Sequence, residues 1–386
     1  MKLLYVQHLL SSYRLPLFND MATNSAVELT VFAKQPDDGM GYDVNDESSF
    51  EFRFIPANWN VFGRGLRWSS GFLRCYRETD CIIHFGDYKF LTIWVCLLLS
   101  VFNKKKFFLH GQGGYKNDRL VGRLIYIIFV ALSDGYICYT EYSRKALLGK
   151  LPSFLHRKVF VVSNTLYFPK MPLENKVTHE KSREGQELLY LGRLRRSCGI
   201  EFLLEAATEA KLKVKVIGGG DEEYINALSE KYNSIATFYG PVFELEKQRE
   251  IAQSCIAGVY GGNAGLSVVH YLYLGLPVIV HSDIASHMGP EPSYISHGYN
   301  GILFEKDNPE SLINALIQIK SDDLLRAKLS ENALSTFTAL SKPSMADKML
   351  QIVEGTASNE RGHAVSLLIV LAFLTTLVAD VSPVAV

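Results

Sequence analysis

Short apolar runs bounded by polar residues or glycine alternate with longer stretches of helical periodicity. In the first half the strand-like runs fall at residues 2–6 (KLLYV), 28–32 (ELTVF), 50–55, 81–85 (CIIHF), 106–110 (KFFLH), 135–139 (GYICY) and 159–162 (VFVV). Several are continuous rather than alternating, as parallel strands covered on both faces require. Between them, YRLPLFNDMA and RLVGRLIYIIFVALS carry helical spacing. Residues 169–186 (PKMPLENKVTHEKSREGQ) are polar, contain proline and lack a period, so they read as a linker. The alternation then restarts with ELLYL, a helix from Ile200, KVKVIGGG, a helix, TFYG, a helix, AGVYGG, a helix and PVIVH. A last ordered helix is expected over 344–353, after Pro343.

This rhythm predicts an α/β protein of two Rossmann-like, doubly wound domains. The expected boundaries are 1–168 for the first domain, 169–186 for the linker and 187–340 for the second domain. A C-terminal helix (341–356) and an apolar tail (357–386) follow. A chain of 386 residues is too long for one ordinary core and supports the division. Hydrophobic residues at 48% and charged residues at 21% exclude a disordered chain. Forty basic and forty acidic side chains cancel, and RNA-binding signatures and basic arms are absent, so no nucleic-acid partner is expected.

The six cysteines are scattered without a CxxC pair, which reads as a reduced, cytoplasmic protein. The N-terminus has a lysine and a short apolar run, but Gln7 and His8 break it and no small-residue cleavage site follows, so it reads as a first buried strand. Residues 91–102 (LTIWVCLLLSVF) are long enough for a core helix and short for a span. Lys104, Lys105 and Lys106 behind them would suit anionic headgroups, which leaves peripheral contact with the inner face of a membrane open. The tail AVSLLIVLAFLTTLVA is slightly short for a span and reads equally as an anchor or an irregular appendage.

Three glycine-marked turns follow strands in the second half, where open α/β sheets bind ligands. In LLYLGRLRRSCGIEFLLEA a strand ends at Gly192, and Arg193, Arg195 and Arg196 follow before Gly199. A guanidinium at a strand end can grip a diphosphate with paired hydrogen bonds, whereas Arg195 or Arg196 could equally just solvate the loop. In VIGGGDEEY the glycines Gly218–Gly220 are a weak signal, because a dinucleotide fingerprint would need another glycine in the helix. The third turn, VYGGNAGLSVVHYLYLGLPVIV, is the strongest. A strand is expected to end at Tyr260, Gly262, Asn263, Ala264 and Gly265 form the loop, and a helix begins near Leu266 and stops at Gly275. The amides of Ala264, Gly265 and Leu266 would be open to an anion. His281, Asp283 and His287 share a Ser/Gly/Pro loop without ligand spacing and read as a solvated loop rather than a metal site. No metal site is expected.

From Leu188 to Phe304 the series LLYLGRLRRSCGIEFLLEA, VIGGGDEEY, FYGPV, VYGGNAGLSVVHYLYLGLPVIV, GPE and HGYNGILF resembles glycosyltransferase family 4. These are retaining GT-B enzymes of bacterial polysaccharide synthesis, and the pattern looks like a surface-polysaccharide subgroup. The resemblance is weaker through SSYRLPLFNDMA, LHGQGGYK and VVSNT. It implies two facing Rossmann-like domains with a cleft between them. The donor would be a nucleotide sugar and the acceptor a hydroxyl of a glycan or lipid-linked sugar, with no cofactor. It also implies that Arg193 binds the donor diphosphate, that His110 contacts the donor sugar or its β-phosphate, and that Glu291 matches the family's Pro-Glu pair. The family's loop lysine is replaced by Cys198, and its two glutamates, eight apart, by Gly262 and His270. Neutral His270 could accept a hydrogen bond from the ribose. On residues alone, His110 and His270 read equally well as packed core histidines. These losses keep a non-catalytic sugar-binding protein open, and the architecture also suits a nucleotide-sugar epimerase.

Overall fold

The computed structural model describes residues 1–35, 50–69, 71–103, 105–116, 119–168 and 187–356. The expected linker (169–186) and apolar tail (357–386) lie outside the described residues. The chain divides into two units, one of residues 1–163 together with the chain from Pro343 on, the other of residues 164–342.

The first unit contains the strands β1 (Lys2–Leu9), β2 (Glu28–Lys34), β3 (Arg53–Pro56), β4 (Asn60–Val61), β5 (Arg67–Trp68), β6 (Cys81–Phe85), β7 (Lys106–Gly111), β8 (Gly135–Cys138) and β9 (Val159–Val161). Seven of them form one parallel sheet in the order β3-β2-β1-β6-β7-β8-β9. The order reverses between β1 and β6. The short β4 and β5 pair antiparallel as a separate ribbon. The helices are α1 (Leu15–Ala22), α2 (Phe72–Arg77), α3 (Leu91–Phe102), α4 (Leu120–Leu132) and α5 (Glu141–Leu148). Residues 91–102 form α3, as their length suggested; Ile93, Cys96 and Leu97 are buried, while Leu98 and Phe102 are exposed. Among the described residues no helix is long and apolar enough to cross a membrane.

The second unit contains β10 (Glu187–Leu191), α6 (Ile200–Glu209), β11 (Lys213–Ile217), α7 (Glu222–Lys231), β12 (Ala236–Phe238), α8 (Leu245–Ala252), β13 (Cys255–Val259), α9 (Ser267–Tyr273), β14 (Val278–His281), β15 (Gly301–Phe304), α10 (Pro309–Ser321) and α11 (Asp323–Ser341). Its six strands are parallel in the order β12-β11-β10-β13-β14-β15, so the reversal falls between β10 and β13. Both central strands are buried runs, with Leu188, Leu189, Ala257 and Val259 inside the core. All six cysteines are free thiols and buried.

The C-terminal helix α12 (Met345–Gly355) packs against α1 rather than standing apart as its own segment. Lys106 Nζ donates to the carbonyl of Val353 at 2.8 Å. Arg14 donates to the sulfur of Met345 at 3.4 Å. Ser344 caps the helix by accepting the Asp347 amide, which explains the start just after Pro343. Met345, Ala346, Met349, Leu350 and Val353 are buried, and this apolar stripe keeps the last helix on the first unit.

Candidate functional site

The order reversal between β10 and β13 creates a crevice at the carboxyl ends of the two strands. Tyr271 of α9 holds them apart. Its hydroxyl accepts the Leu191 amide at 2.8 Å and donates to the Val259 carbonyl at 3.3 Å. The ring lies where a side chain on Gly258 would be, since a β-carbon there would come within 2.2 Å of it. Tyr190 and Tyr260 stack beside it at 4.9 Å, and the Tyr190 hydroxyl donates to the Arg193 carbonyl at 2.8 Å. Burial raises the pKa of all three phenols, so they act as neutral hydrogen-bonding props. In the sequence only the spacing of Gly258 to Tyr271 could have pointed to this wedge.

Two loops meet in this crevice. The loop after β10 carries Gly192, Arg193, Arg195 and Arg196, and the loop after β13 runs from Tyr260 to Leu266. They interlock through backbone alone. Gly262 N–H donates to the Cys198 carbonyl and Asn263 N–H to the Ser197 carbonyl, both at 3.0 Å. A β-carbon on Gly199, Gly261 or Gly262 would fall 2.3, 2.2 or 2.7 Å from backbone of the opposite loop. The sequence singled out these loops separately, and the fold brings them together.

The individual residues divide. Arg193 and Arg195 are exposed on the first loop, and Gly192 is closely covered, a β-carbon there coming within 2.8 Å of the Tyr260 hydroxyl and 3.3 Å of Ser267 Oγ. Ser267, at the first helical position, therefore lies beside the strand end and joins the candidate residues that the sequence reading passed over. Arg196 is tied outward, 3.7 Å from Glu201 and over the Tyr224 ring, so it fits the reading of a loop-solvating arginine. The donor role expected of Gly218 fails on space and bonding. Its N–H donates to Gly240 O at 2.9 Å, and a β-carbon would strike Gly192 O at 1.8 Å. Gly218 is thus a close-packing position that seats the first loop.

The helix after the third loop begins at Ser267, one residue later than expected, and spans seven residues, and β13 ends at Val259 rather than Tyr260. Of the amides expected to face an anion, that of Ala264 is committed to His287 Nδ1 at 3.0 Å. The amides of Gly262 and Asn263 are likewise spent on the first loop. Those of Gly265, Leu266 and Ser267 have no acceptor among the described residues. Any anion here is therefore held by these individual N–H groups more than by the dipole of so short a helix.

The solvated-loop reading of His281, Asp283 and His287 is overturned for both histidines. His281 and His287 are buried and stacked face to face at 3.7 Å. His287 Nδ1 accepts the Ala264 amide, so its Nε2–H donates to the His281 carbonyl at 2.9 Å. His281 Nε2 lies 3.4 Å from Asn263 Oδ1. Asp283 alone is exposed, bonded to Ser286 and 3.8 Å from Lys306. The Phe304 ring stands edge-on to His281, with centroids 6.1 Å apart.

Glu291 is buried rather than open to a donor, its Oε1 accepting from Asn164 Nδ2 at 2.5 Å. His270 packs edge-on to Phe168 at 5.1 Å, and its Nε2 has no partner among the described residues. Burial lowers its pKa to about 4, so it is neutral near pH 7 and can only accept at an unprotonated nitrogen. Between pH 6.5 and 4 the unfolded chain binds this proton and the folded chain does not, so stability falls as pH falls through that window. His270→Leu is expected to flatten the acid slope there by up to about 1.4 kcal/mol per pH unit. Urea unfolding at a series of pH values measures it, and an unchanged slope would return His270 to an ordinary exposed titration.

In the first unit His110 is the penultimate residue of β7, buried, with Nδ1 2.7 Å from the Tyr5 hydroxyl and its ring 4.7 Å from that of Tyr139. Burial first, and the Arg14 charge second, hold its pKa well below the usual value. Its Nε2 has no partner among the described residues. The imidazole is therefore neutral and enclosed.

Residues 173–336 match the family described as Glycosyl transferases group 1. Two proteins of Methanocaldococcus jannaschii, described as uncharacterised glycosyltransferases, are 22% identical over 233 residues and 24% identical over 240. These alignments take in 57% and 58% of this chain, and the chain spans 56% and 60% of the length of those relatives. Among solved structures, Anabaena HepE in complex with UDP and glucose superposes with a TM-score of 0.64 at 15% identity, over 93% of this chain and all of that one. Sucrose-phosphate synthase from Thermosynechococcus elongatus gives 0.66 at 16% identity, over 92% and 98%. A glycosyltransferase from Rickettsia africae gives 0.67 at 15% identity, over 93% and 99%. The fold is GT-B, two Rossmann-like parallel-sheet domains in one chain.

Proposed function

We propose that this chain, a GT-B protein carrying a group 1 glycosyl transferase domain, moves a sugar from a nucleoside-diphosphate donor to a hydroxyl of a glycan or lipid-linked acceptor. The observation that carries the reading is the glycine interlock at the β10/β13 crevice. It sets the loop of Arg193 against the loop whose Gly265, Leu266 and Ser267 amides lack acceptors. A diphosphate leaving group needs this pairing of a guanidinium with preorganised N–H donors, because charge builds on its oxygens as the glycosidic bond breaks. Arg193 and Arg195 would take the phosphates, and His270 Nε2 would accept a ribose hydroxyl. UDP is the expected nucleotide, since HepE binds it. The resemblance further suggests retention of anomeric configuration, a place in surface-polysaccharide synthesis, and work at the cytoplasmic face of the plasma membrane. In the first unit, neutral His110 is the candidate for a sugar hydroxyl.

A second reading has a specific observation behind it. No side chain fits at Gly262, so this loop offers the donor sugar no carboxylate, as a sugar-binding relative without catalysis would also tolerate. One experiment separates the readings. The melting temperature is expected to rise with one of the UDP-, GDP- or ADP-sugars, since a ligand bound only by the native state stabilises it. Free nucleoside diphosphate is then expected only after an acceptor is supplied, and with EDTA present as readily as without it. Binding without release would favour the non-catalytic reading, release without acceptor would favour other chemistry, and loss of turnover with EDTA would overturn metal independence.

A further inference from the structure

We infer that His287 is a positioning residue for the donor diphosphate, acting through the single hydrogen bond by which it fixes the Ala264 amide; the inference rests on the donor site proposed above. Three consecutive N–H groups of the 261–266 loop are held. Gly262 and Asn263 are held by the neighbouring loop, and Ala264 by His287 Nδ1. The next three, of Gly265, Leu266 and Ser267, are the ones without protein acceptors. Ala264 is thus the last tethered residue before the open amides, and the Ala264 carbonyl is pinned as well, accepting the Met288 amide at 2.8 Å. The loop is clamped at this residue on both its donor and its acceptor side by 287 and 288.

Both ring nitrogens of His287 are engaged. Its other nitrogen donates to the His281 carbonyl at the end of β14, and its ring is stacked on the His281 ring. The tautomer is therefore fixed by two partners of opposite kind, and the clamp runs from β14 through an imidazole to the loop. His287 touches neither phosphate nor sugar in this scheme. It sets where the following amides point, and a misplacement of an ångström there costs a phosphate hydrogen bond.

Two conservative substitutions divide its two bonds. His287→Asn keeps an acceptor at the place of Nδ1, within reach of the Ala264 amide, and gives up the bond to His281. His287→Gln places its polar group near Nε2, keeps donation to the His281 carbonyl and leaves the Ala264 amide unpaired. Each variant loses one buried hydrogen bond, so similar melting temperatures without ligand are expected. UDP binding to the full chain by calorimetry is expected to stay within about threefold of the parent for His287→Asn and to weaken about tenfold or more for His287→Gln, the loss that an unpaired buried donor implies. Equal affinities for the two variants, or the reverse order, would overturn the inference. Hydrogen exchange of the unmodified chain gives an arm that needs no variant. The Ala264 amide should be protected as strongly as those of Gly262 and Asn263, and rapid exchange there would also overturn it. Failure of the unmodified chain to bind UDP, GDP or ADP is a different result, which removes the donor site itself.

Discussion

The Gly199→Ala protein should be less stable than its parent by about 3 kcal/mol, through one added methyl group. Two penalties combine at this position. Gly199 has φ +66°, a left-handed conformation that costs an L-residue roughly 1–2 kcal/mol. Its β-carbon would also lie 2.3 Å from the Gly262 nitrogen and 2.5 Å from the Gly261 carbonyl carbon, backbone atoms that cannot swing aside. Overpacking of that kind costs about 1–3 kcal/mol more. Gly240 provides the control, since it has φ +69° with nothing within 4 Å of its would-be β-carbon. Gly240→Ala should therefore show only the backbone part. Chemical denaturation of the three proteins measures the difference, and equal losses at 199 and 240 would mean that the loops are not in contact. The Gly199 variant should also lose nucleotide affinity, because the methyl separates the arginine loop from the open amides.

Arg193→Ala should lower the rate of sugar transfer at least about tenfold, the consequence of removing roughly 1.4 kcal/mol of transition-state stabilisation. A charge-assisted hydrogen bond contributes about 1.5–3 kcal/mol, so a loss of up to about a hundredfold is in range. Arg193→Lys should recover part of it, keeping the charge without the paired geometry. The effect should fall on kcat more than on KM if the guanidinium meets charge that develops as the diphosphate departs. Arg196→Ala is the internal comparison: its guanidinium already faces Glu201 and Tyr224, and it should change little. Near-parental turnover with alanine at 193 would take that residue out of the mechanism.

Much of the architecture was legible because parallel strands buried on both faces leave continuous apolar runs, as in CIIHF, KFFLH and ELLYL. The helix over 91–102 followed from its length, and the start of α12 from its place after Pro343. The two loops that meet after β10 and β13 were visible as glycine-marked strand ends carrying Arg193 and Gly265. Histidines 281 and 287 misled because a loop rich in serine, glycine and proline usually stands in water. Local composition carries no information about the ring that will lie on top of it.

What the chain determined by itself was therefore the alternation of strand and helix along most of its length and which strand ends could face an anion, since periodicity and turn chemistry act over a few residues. Strand order was decided only in the tertiary structure, and with it the meeting of residues 192–199 with 260–266 across the β10/β13 reversal. So was the fate of each amide. Whether the N–H of Gly218, Gly262 or Ala264 remains open depends on a carbonyl or imidazole far away in sequence, and hydrogen bonds of that range exist only once the sheet has formed.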